Sequence, residues 1–504
     1  MNFPKGYKNM KKFISFSLSL MLCLLSVTAC SEKPEETETV APVETAADPS
    51  ATEEETESPT PHWDNVAKTD LDGIEINISQ NNYDKNFYNV VDWEEITGER
   101  LNDAVYNRNR FIEEQLSCVM NVVSGGTPAT ILEEAVIAGT GEVDLAYGLM
   151  SYGGGLIQKG YLMPFNDLET VDMTQPYWDQ GAQDNLKVLD KMYYGYLDFG
   201  FDHYDSMTVL FYNGILVDKY QIEDPYDLWK NQEWTIDKMG EMLDIVSNDE
   251  NGNGKFELEN DIYGLAGREY NFQPMLFASN VSLVSWDAKE SKFTFNMMDE
   301  RFLSIAEKIS EIYCDDNADH VHYANYDLGR TAFSDGRVLF YSRLLGDFKN
   351  LREVEDDYGL MSFPRYDYAD EKSYSFVQNP TTLFLPVDIG DDNGDGEDDY
   401  NELGVFLEAI GAYTYDAVLV EYTEHAVVGK GMRDQNSVEV FWDMITRRSF
   451  DLMQSFTFPN IGTAFYNSVV AGSSFASSAK RLTSAFDKSA KKVVEDIIYN
   501  TSGY

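Results

Sequence analysis

Between residues 74 and 147 short apolar strands alternate with amphipathic helices, and this order narrows the possible folds more than anything else in the chain. Ile74, Ile76 and Ile78 alternate as one face of a strand, Asn102–Leu116 carries helical periodicity, and Val119–Val123 reads as a second strand. Thr127 then offers a helix N-cap with Pro128 at the first helical position. The spacing predicts a helix with Ile131, Leu132, Ala135 and Ala138 on one face, stopped by Gly139 and Gly141. Val143–Tyr147 is the third strand. A β-α-β-α-β order closes as a parallel sheet covered by helices, and such sheets bind ligands beyond the carboxyl ends of their strands.

Beyond Phe201 the pattern turns mainly helical with short strands. Phe302, Ile305, Ile309 and Ile312 form one helical stripe, and Leu482, Phe486, Ala490, Val494 and Ile497 another. Between them Val338–Tyr341 and Thr382–Leu385 read as buried strands, and no solenoid period repeats. With 504 residues, 43% of them hydrophobic, the chain is long enough for two lobes. The expected class is α/β, with two α/β lobes whose chain crosses between them more than once. The expected segments are a signal peptide at 1–29, a disordered acidic tether at 30–65 and the first part of lobe 1 at 66–205. The first part of lobe 2 follows at 206–372, a return to lobe 1 at 373–430, and a helical part at 431–504 belonging mainly to lobe 2.

At the N-terminus a basic stretch, Lys5–Lys12, precedes the apolar Phe13–Leu25 and then Val27-Thr28-Ala29-Cys30. The apolar core falls short of the roughly 20 residues a spanning helix needs and ends in small residues, as a signal peptide does. From Ser31 to His62 the chain is Pro, Thr, Ser, Ala and Glu with almost nothing to bury, the composition of a self-repelling tether. The Cys30 segment resembles a bacterial lipobox. That resemblance implies a diacylglyceryl, palmitate-bearing anchor on Cys30 and a place on the extracellular face of the membrane of a Gram-positive-type bacterium.

A net charge of −49 repels nucleic acid and anionic headgroups alike, which excludes both as direct partners and leaves the lipid as the only membrane contact. Cys118 and Cys314 remain for the folded part, as a disulfide or as two isolated thiols.

Leu210-Phe211-Tyr212-Asn213, Asp224-Pro225, Glu233-Trp234-Thr235 and Asp261-Ile262-Tyr263-Gly264-Leu265 follow in order. Gly141–Ala146 precedes them, and Arg433-Asp434 through Ser449-Phe450-Asp451 comes after. Together these resemble family-one extracellular solute-binding proteins of ABC importers, the maltose-binding-protein-like group, over most of residues 70–500. The resemblance implies a periplasmic-binding-protein-like clamp with its cleft between the lobes, acting as a monomer that captures a small solute, most often a sugar, for a permease. Thr235 has a purely structural reading as an N-cap, and Trp234 as a staple beside it.

A sugar clamp needs aromatic faces flanked by planar polar groups. Aromatics are abundant here, 32 Tyr, 29 Phe and 7 Trp, so position must separate ligand platforms from core. The candidates at strand ends are Tyr83, Tyr147, Tyr152 before Gly153-Gly154-Gly155, Tyr204 with Asp205 near the lobe crossover, and Tyr341 with Arg343. The segment Tyr341–Phe348, which resembles the family's sugar-stacking segment, holds no Trp.

Two acidic loops resemble EF-hand calcium loops: Asp391, Asn393, Asp395, Gly396 and Glu402, and Asp249, Asn251, Asn253, Gly254 and Phe256. The first has Asp398 where an apolar residue belongs, and the second ends on Asn260 with Asp261 one step late. Any calcium there is structural, and no cofactor is required. Five histidines without an HExxH pair, and no GxSxG elbow or phosphate loop, argue against an enzyme. A surface glycan hydrolase and a calcium-dependent adhesive lipoprotein are the alternatives to a solute receptor.

Overall fold

The structure, a computed structural model, describes residues 61–502 apart from 81–90, 268–271, 315–320, 324–325, 353, 355–356, 371, 392–393, 395, 397, 459–460 and 471–474. The strands in chain order are β1 (Glu75–Gln80), β2 (Val119–Val123), β3 (Leu145–Leu149), β4 (Thr208–Asn213), β5 (Tyr263–Gly267), β6 (Val284–Asp287), β7 (Lys292–Phe295), β8 (Val321–Tyr323), β9 (Val338–Leu344), β10 (Tyr358–Met361), β11 (Ser375–Phe376), β12 (Thr381–Phe384) and β13 (Arg448–Ser449). The helices used below are α1 (Arg100–Leu116), α2 (Pro128–Ala138), α3 (Gly153–Lys159), α4 (Gln180–Leu186), α5 (Ile236–Val246), α6 (Glu300–Tyr313), α7 (Tyr400–Tyr413), α8 (Gln435–Ile445) and α9 (Phe475–Thr501).

Local signals set the first lobe. Helix α1 ends on Ser117 in the left-handed region, which turns the chain directly into β2. Thr127 caps α2 by accepting the Thr130 N–H at 3.3 Å, and Gly139 closes it at φ +62°. The buried face of α2 is Pro128, Ala129, Leu132 and Ala135, so Ala138 lies outside the core rather than in the expected stripe. Strand β3 runs two residues later than expected, which places Tyr147 in mid-strand. Ile78 pairs with Val122 on one side and Leu145 on the other, and both β2 and β3 run parallel to β1.

The strand order is β12-β3-β1-β2 in the first sheet and β10-β4-β9-β5-β8 in the second. Each sheet contains one strand that opposes the rest, β12 in the first and β4 in the second. Both opposing strands begin where the chain has just crossed between sheets. A chain entering a parallel sheet at the carboxyl ends of its strands must run back against them. The two crossing segments lie side by side: Met207 bridges Val377, Gln378 N–H donates to Ser206 O at 2.9 Å, and Thr208 Oγ1 donates to Phe376 O at 3.0 Å.

Thr235 caps α5, and Trp234 before it is buried against Phe340 with its indole N–H on Ser362 O at 2.9 Å, the structural reading of that pair. Helix α6 buries Phe302, Ile305, Ile309 and Ile312 together, each such side chain contributing about 1.5–3 kcal/mol on burial. Helix α8 packs on β10, where Ser437 Oγ accepts the Leu360 N–H. Helix α9 touches both lobes, through Phe486 on Phe295 and through Asn500 on Gln158. Of its two adjacent valines the buried one is Val493 rather than Val494.

Helix α7 continues into widened π-helical turns at Thr414–Val418 and Glu421–Val428. Among the described residues no single helix is long and apolar enough to cross a membrane. The segment His62–Asn65, expected to belong to the tether, folds instead as a 3-10 turn on this helix. His62 Nδ1 lies 2.8 Å from Asp416, Trp63 N–H donates to the same carboxylate at 2.9 Å, and the Trp63 ring packs on Phe111 and Tyr413. Cys30 and the rest of the expected tether lie outside the described residues. Cys118 is buried and Cys314 half-buried, both unpaired, and burial pushes the Cys118 thiol up to about 12.

Candidate functional site

The carboxyl ends of β3, β5 and β9 and the starts of β4 and β12 face the crossing segments. The polar side chains gathered there fall into two groups of opposite character.

The first group is buried and pairs with itself. Asp205, fully buried, accepts the Tyr422 hydroxyl at 2.7 Å on one oxygen and meets Lys349 Nζ at 3.1 Å on the other. Tyr204 donates to Asp198 at 2.8 Å, while the Arg448 guanidinium lies 4.3 Å over its ring. Arg448 also forms an ion pair with Asp179 at 2.6 Å. Burial alone would lower the Arg448 pKa, but Asp179 and Tyr204 outweigh it and hold it above the ordinary value. Tyr341 donates to Asp347 at 2.9 Å, and Arg343 Nε lies 3.9 Å from the same carboxylate. Tyr147 packs edge-on to Phe199, over the position where Gly200 lacks a side chain. Burial, with the Asp202 carboxylate, holds its phenol well above the ordinary range.

Tyr147, Tyr204 and Tyr341 are therefore 4%, 4% and 1% exposed. Tyr341 and Arg343 were expected after their strand; they lie inside β9, which extends to Leu344. Tyr147, Tyr204 and Asp205 come together around the first crossing, and Tyr341 and Arg343 approach them through the turn that carries Asp347 and Lys349. Arg108 completes this set and was not anticipated. Its fully buried guanidinium donates to Phe199 O at 2.7 Å and Thr414 Oγ1 at 3.1 Å, and burial lowers it to about 10.

The second group is open. Tyr152 stands at the end of β3, 36% exposed, just before α3. Gly153 and Gly154 are not a loop but the first turn of α3. A Cβ on Gly154 would lie 2.5 Å from Ser455 O, so the missing side chains allow the close approach that the glycine run foretold. Beside Tyr152, Ser151 N–H donates to Asn379 Oδ1 at 2.9 Å, and Gln454 holds the Asn379 N–H and Val377 O. Asn379 sits at φ +44°, a conformation asparagine tolerates better than most residues. The Asn379-Pro380 pair between two strands was its signal in the sequence. Tyr83 lies outside the described residues.

The calcium-like loops fold as tight turns. Asp249 accepts amides of Gly252 and Gly254, and Asp261, fully buried, accepts those of Glu250 and Glu257. Asn251 and Asn253 accept the Asn253 and Lys255 amides. Asp391 likewise accepts Gly394 and Gly396, with Glu402 in the first turn of α7. Asn393 and Asp395 lie outside the described residues. Among the described residues no three His, Cys, Asp or Glu side chains form a group that could hold a metal.

The profile of the family described as bacterial extracellular solute-binding protein matches residues 119–388. No curated protein matches the sequence. A cyclo/maltodextrin-binding protein complexed with maltotetraose shares the fold at 14% identity, over 88% of this chain and 98% of that one, with a TM-score of 0.54. UspC of M. tuberculosis does so at 13% identity, over 82% and 100%, with a TM-score of 0.53. An extracellular solute-binding protein from Staphylococcus aureus in complex with maltose does so at 12% identity, over 84% and 98%, with a TM-score of 0.52.

Proposed function

Because the chain belongs to the bacterial extracellular solute-binding proteins, we propose that it is a receptor that captures a neutral sugar or oligosaccharide and delivers it to an ABC importer permease, without catalysing a reaction. The observation that carries this reading is the pair of crossing segments, Ser206–Thr208 against Phe376–Gln378, joining two sheets at the carboxyl ends of their strands. Such a joint lets two lobes close on a solute, and the same fold holds maltotetraose and maltose in the relatives named above. The solute contacts fall to the open set, Tyr152, Asn379 and Gln454, together with Tyr83. The buried set of Tyr147, Tyr204, Asp205, Tyr341 and Arg343 shapes the joint and its walls.

In the same proposal Cys30 carries the lipid that holds the receptor on the extracellular face of a Gram-positive-type membrane, and the tether keeps it near its permease at high effective concentration. Cys30→Ala is expected to release the protein into the medium. A thermal-shift screen of mono- and oligosaccharides, amino acids and short peptides tests the solute. Stabilisation that grows with sugar concentration, without bond cleavage, is expected; cleavage of an oligosaccharide, or no stabilisation by any sugar, overturns the reading. Structural calcium in the Asp249 and Asp391 loops is proposed on sequence grounds alone, and chelator-stripped protein that gives no calcium heat in calorimetry removes it.

A further inference from the structure

A recess of about 330 Å³ lies between α4 of the first lobe and the β6–β7 hairpin of the second. Its lining includes none of the crossing residues and none of the open set at Tyr152. Both walls are fixed by one strap. Asn185 of α4 accepts the Phe450 N–H at 3.1 Å, and the next residue, Asp451, accepts the N–H groups of Leu283 and Val284 where the hairpin begins. The recess is thus held open by hydrogen bonds rather than by chance spacing of two surfaces.

Its chemistry is unlike that of the crossings. Trp286 is half-buried, braced edge-on by Phe293 at 5.1 Å, and its indole N–H makes no hydrogen bond among the described residues. Asp184, Lys187 and Asp190 line the same recess, and none of their side chains forms a hydrogen bond or ion pair among the described residues. One aromatic face, flanked by a cation and two carboxylates that do not neutralise each other, suits a ligand offering C–H patches on its faces and hydroxyls round its edge. Such hydroxyls both donate and accept, and hydrogen bonds to charged groups are the stronger kind. An anion would meet the two aspartates, and an isolated cation would meet Lys187. The volume is at the lower end of small-molecule sites, about 300–1,000 Å³, and fits one or two sugar rings.

We propose that this recess is a second saccharide site, separate from the cleft, that holds a neutral sugar residue against Trp286. The site binds a mono- or disaccharide, or the end of a longer chain, with Asp184, Asp190 and Lys187 on its hydroxyls and the indole N–H as a further donor.

Fluorine NMR of fluorotryptophan-labelled full-length protein tests this locally, with maltose, glucose and glycine as probes. The Trp286 resonance is identified by its loss in Trp286→Phe. It is expected to shift saturably with maltose or glucose and not with glycine, and Asp184→Asn combined with Lys187→Ala, both on the surface, is expected to weaken that response roughly tenfold. If sugars move other resonances but not that of Trp286, the recess proposal falls and the cleft reading stands. If glycine moves Trp286 as well as the sugars do, or the double variant responds like the wild type, the saccharide assignment is wrong. If no sugar moves any resonance, the recess proposal falls and the thermal-shift screen decides the cleft reading.

Discussion

The crossings and the end of β3 are built from the same residue types to opposite effect. At the crossings, tyrosines and charges are turned on each other: Tyr422 and Lys349 on Asp205, Arg448 on Asp179 and over Tyr204, Tyr341 on Asp347. At the end of β3, Tyr152 is left in the open, with Asn379 and Gln454 half-exposed beside it. A phenol already donating to a buried carboxylate has little left to offer a sugar. The candidate aromatics at the crossings are therefore the ones that hold the joint together, and Tyr152 is the described candidate that stays open.

The sharpest break in this contrast is Arg448→Met. It strands Asp179 in the interior, and loss of one partner from a buried ion pair costs about 3–5 kcal/mol, to be read from urea unfolding. If stability falls by less than half a kcal/mol, the pair is not the tie described here. A pH effect comes next. Burial raises the Asp451 carboxyl to about 7 despite three backbone N–H groups, well above its unfolded value of about 3.9. The folded state thus holds the proton more tightly, so this contribution to stability is full below about pH 4 and is lost as pH rises towards 7. The melting temperature of the wild type should drop more between pH 5 and 8 than that of Asp451→Asn, and equal drops would dismiss the shift.

Gly200→Ala follows, because its Cβ would lie 2.2 Å from the Tyr147 hydroxyl. Overpacking of this kind costs about 1–3 kcal/mol. Tyr341→Phe removes one hydrogen bond to Asp347 and should cost about 1 kcal/mol with little change in solute affinity. A large affinity loss without a stability loss would move Tyr341 from the joint to the site. Tyr152→Ala should do the reverse, changing stability by less than about 0.5 kcal/mol while weakening solute binding at least tenfold, as titration calorimetry would show.

What the sequence made legible was local. The bounds of β2, the Thr127 cap with its Gly139 stop and the stripe on α6 all follow from interactions between residues within a turn or two of one another. The two-lobed α/β class came from order and spacing along most of the chain. The pairs at the crossings could not be read in this way. Arg108 meets Phe199 and Thr414, Asp205 meets Tyr422, and Asp179 meets Arg448, partners separated by 91 to 306 positions that no period or motif connects. The same gap explains the aromatics, since sequence placed Tyr147 and Tyr341 near strand ends while only the pairing of β3 and β9 shows how far those strands continue.

The turn at His62–Asn65 carries a mechanical consequence. Because Trp63 is wedged between Phe111 of α1 and Tyr413 of α7, a pull along a tether of the kind proposed would load these two helices of the first lobe before the rest of the fold. Under the proposed function, a permease would meet that lobe at a distance set by the tether.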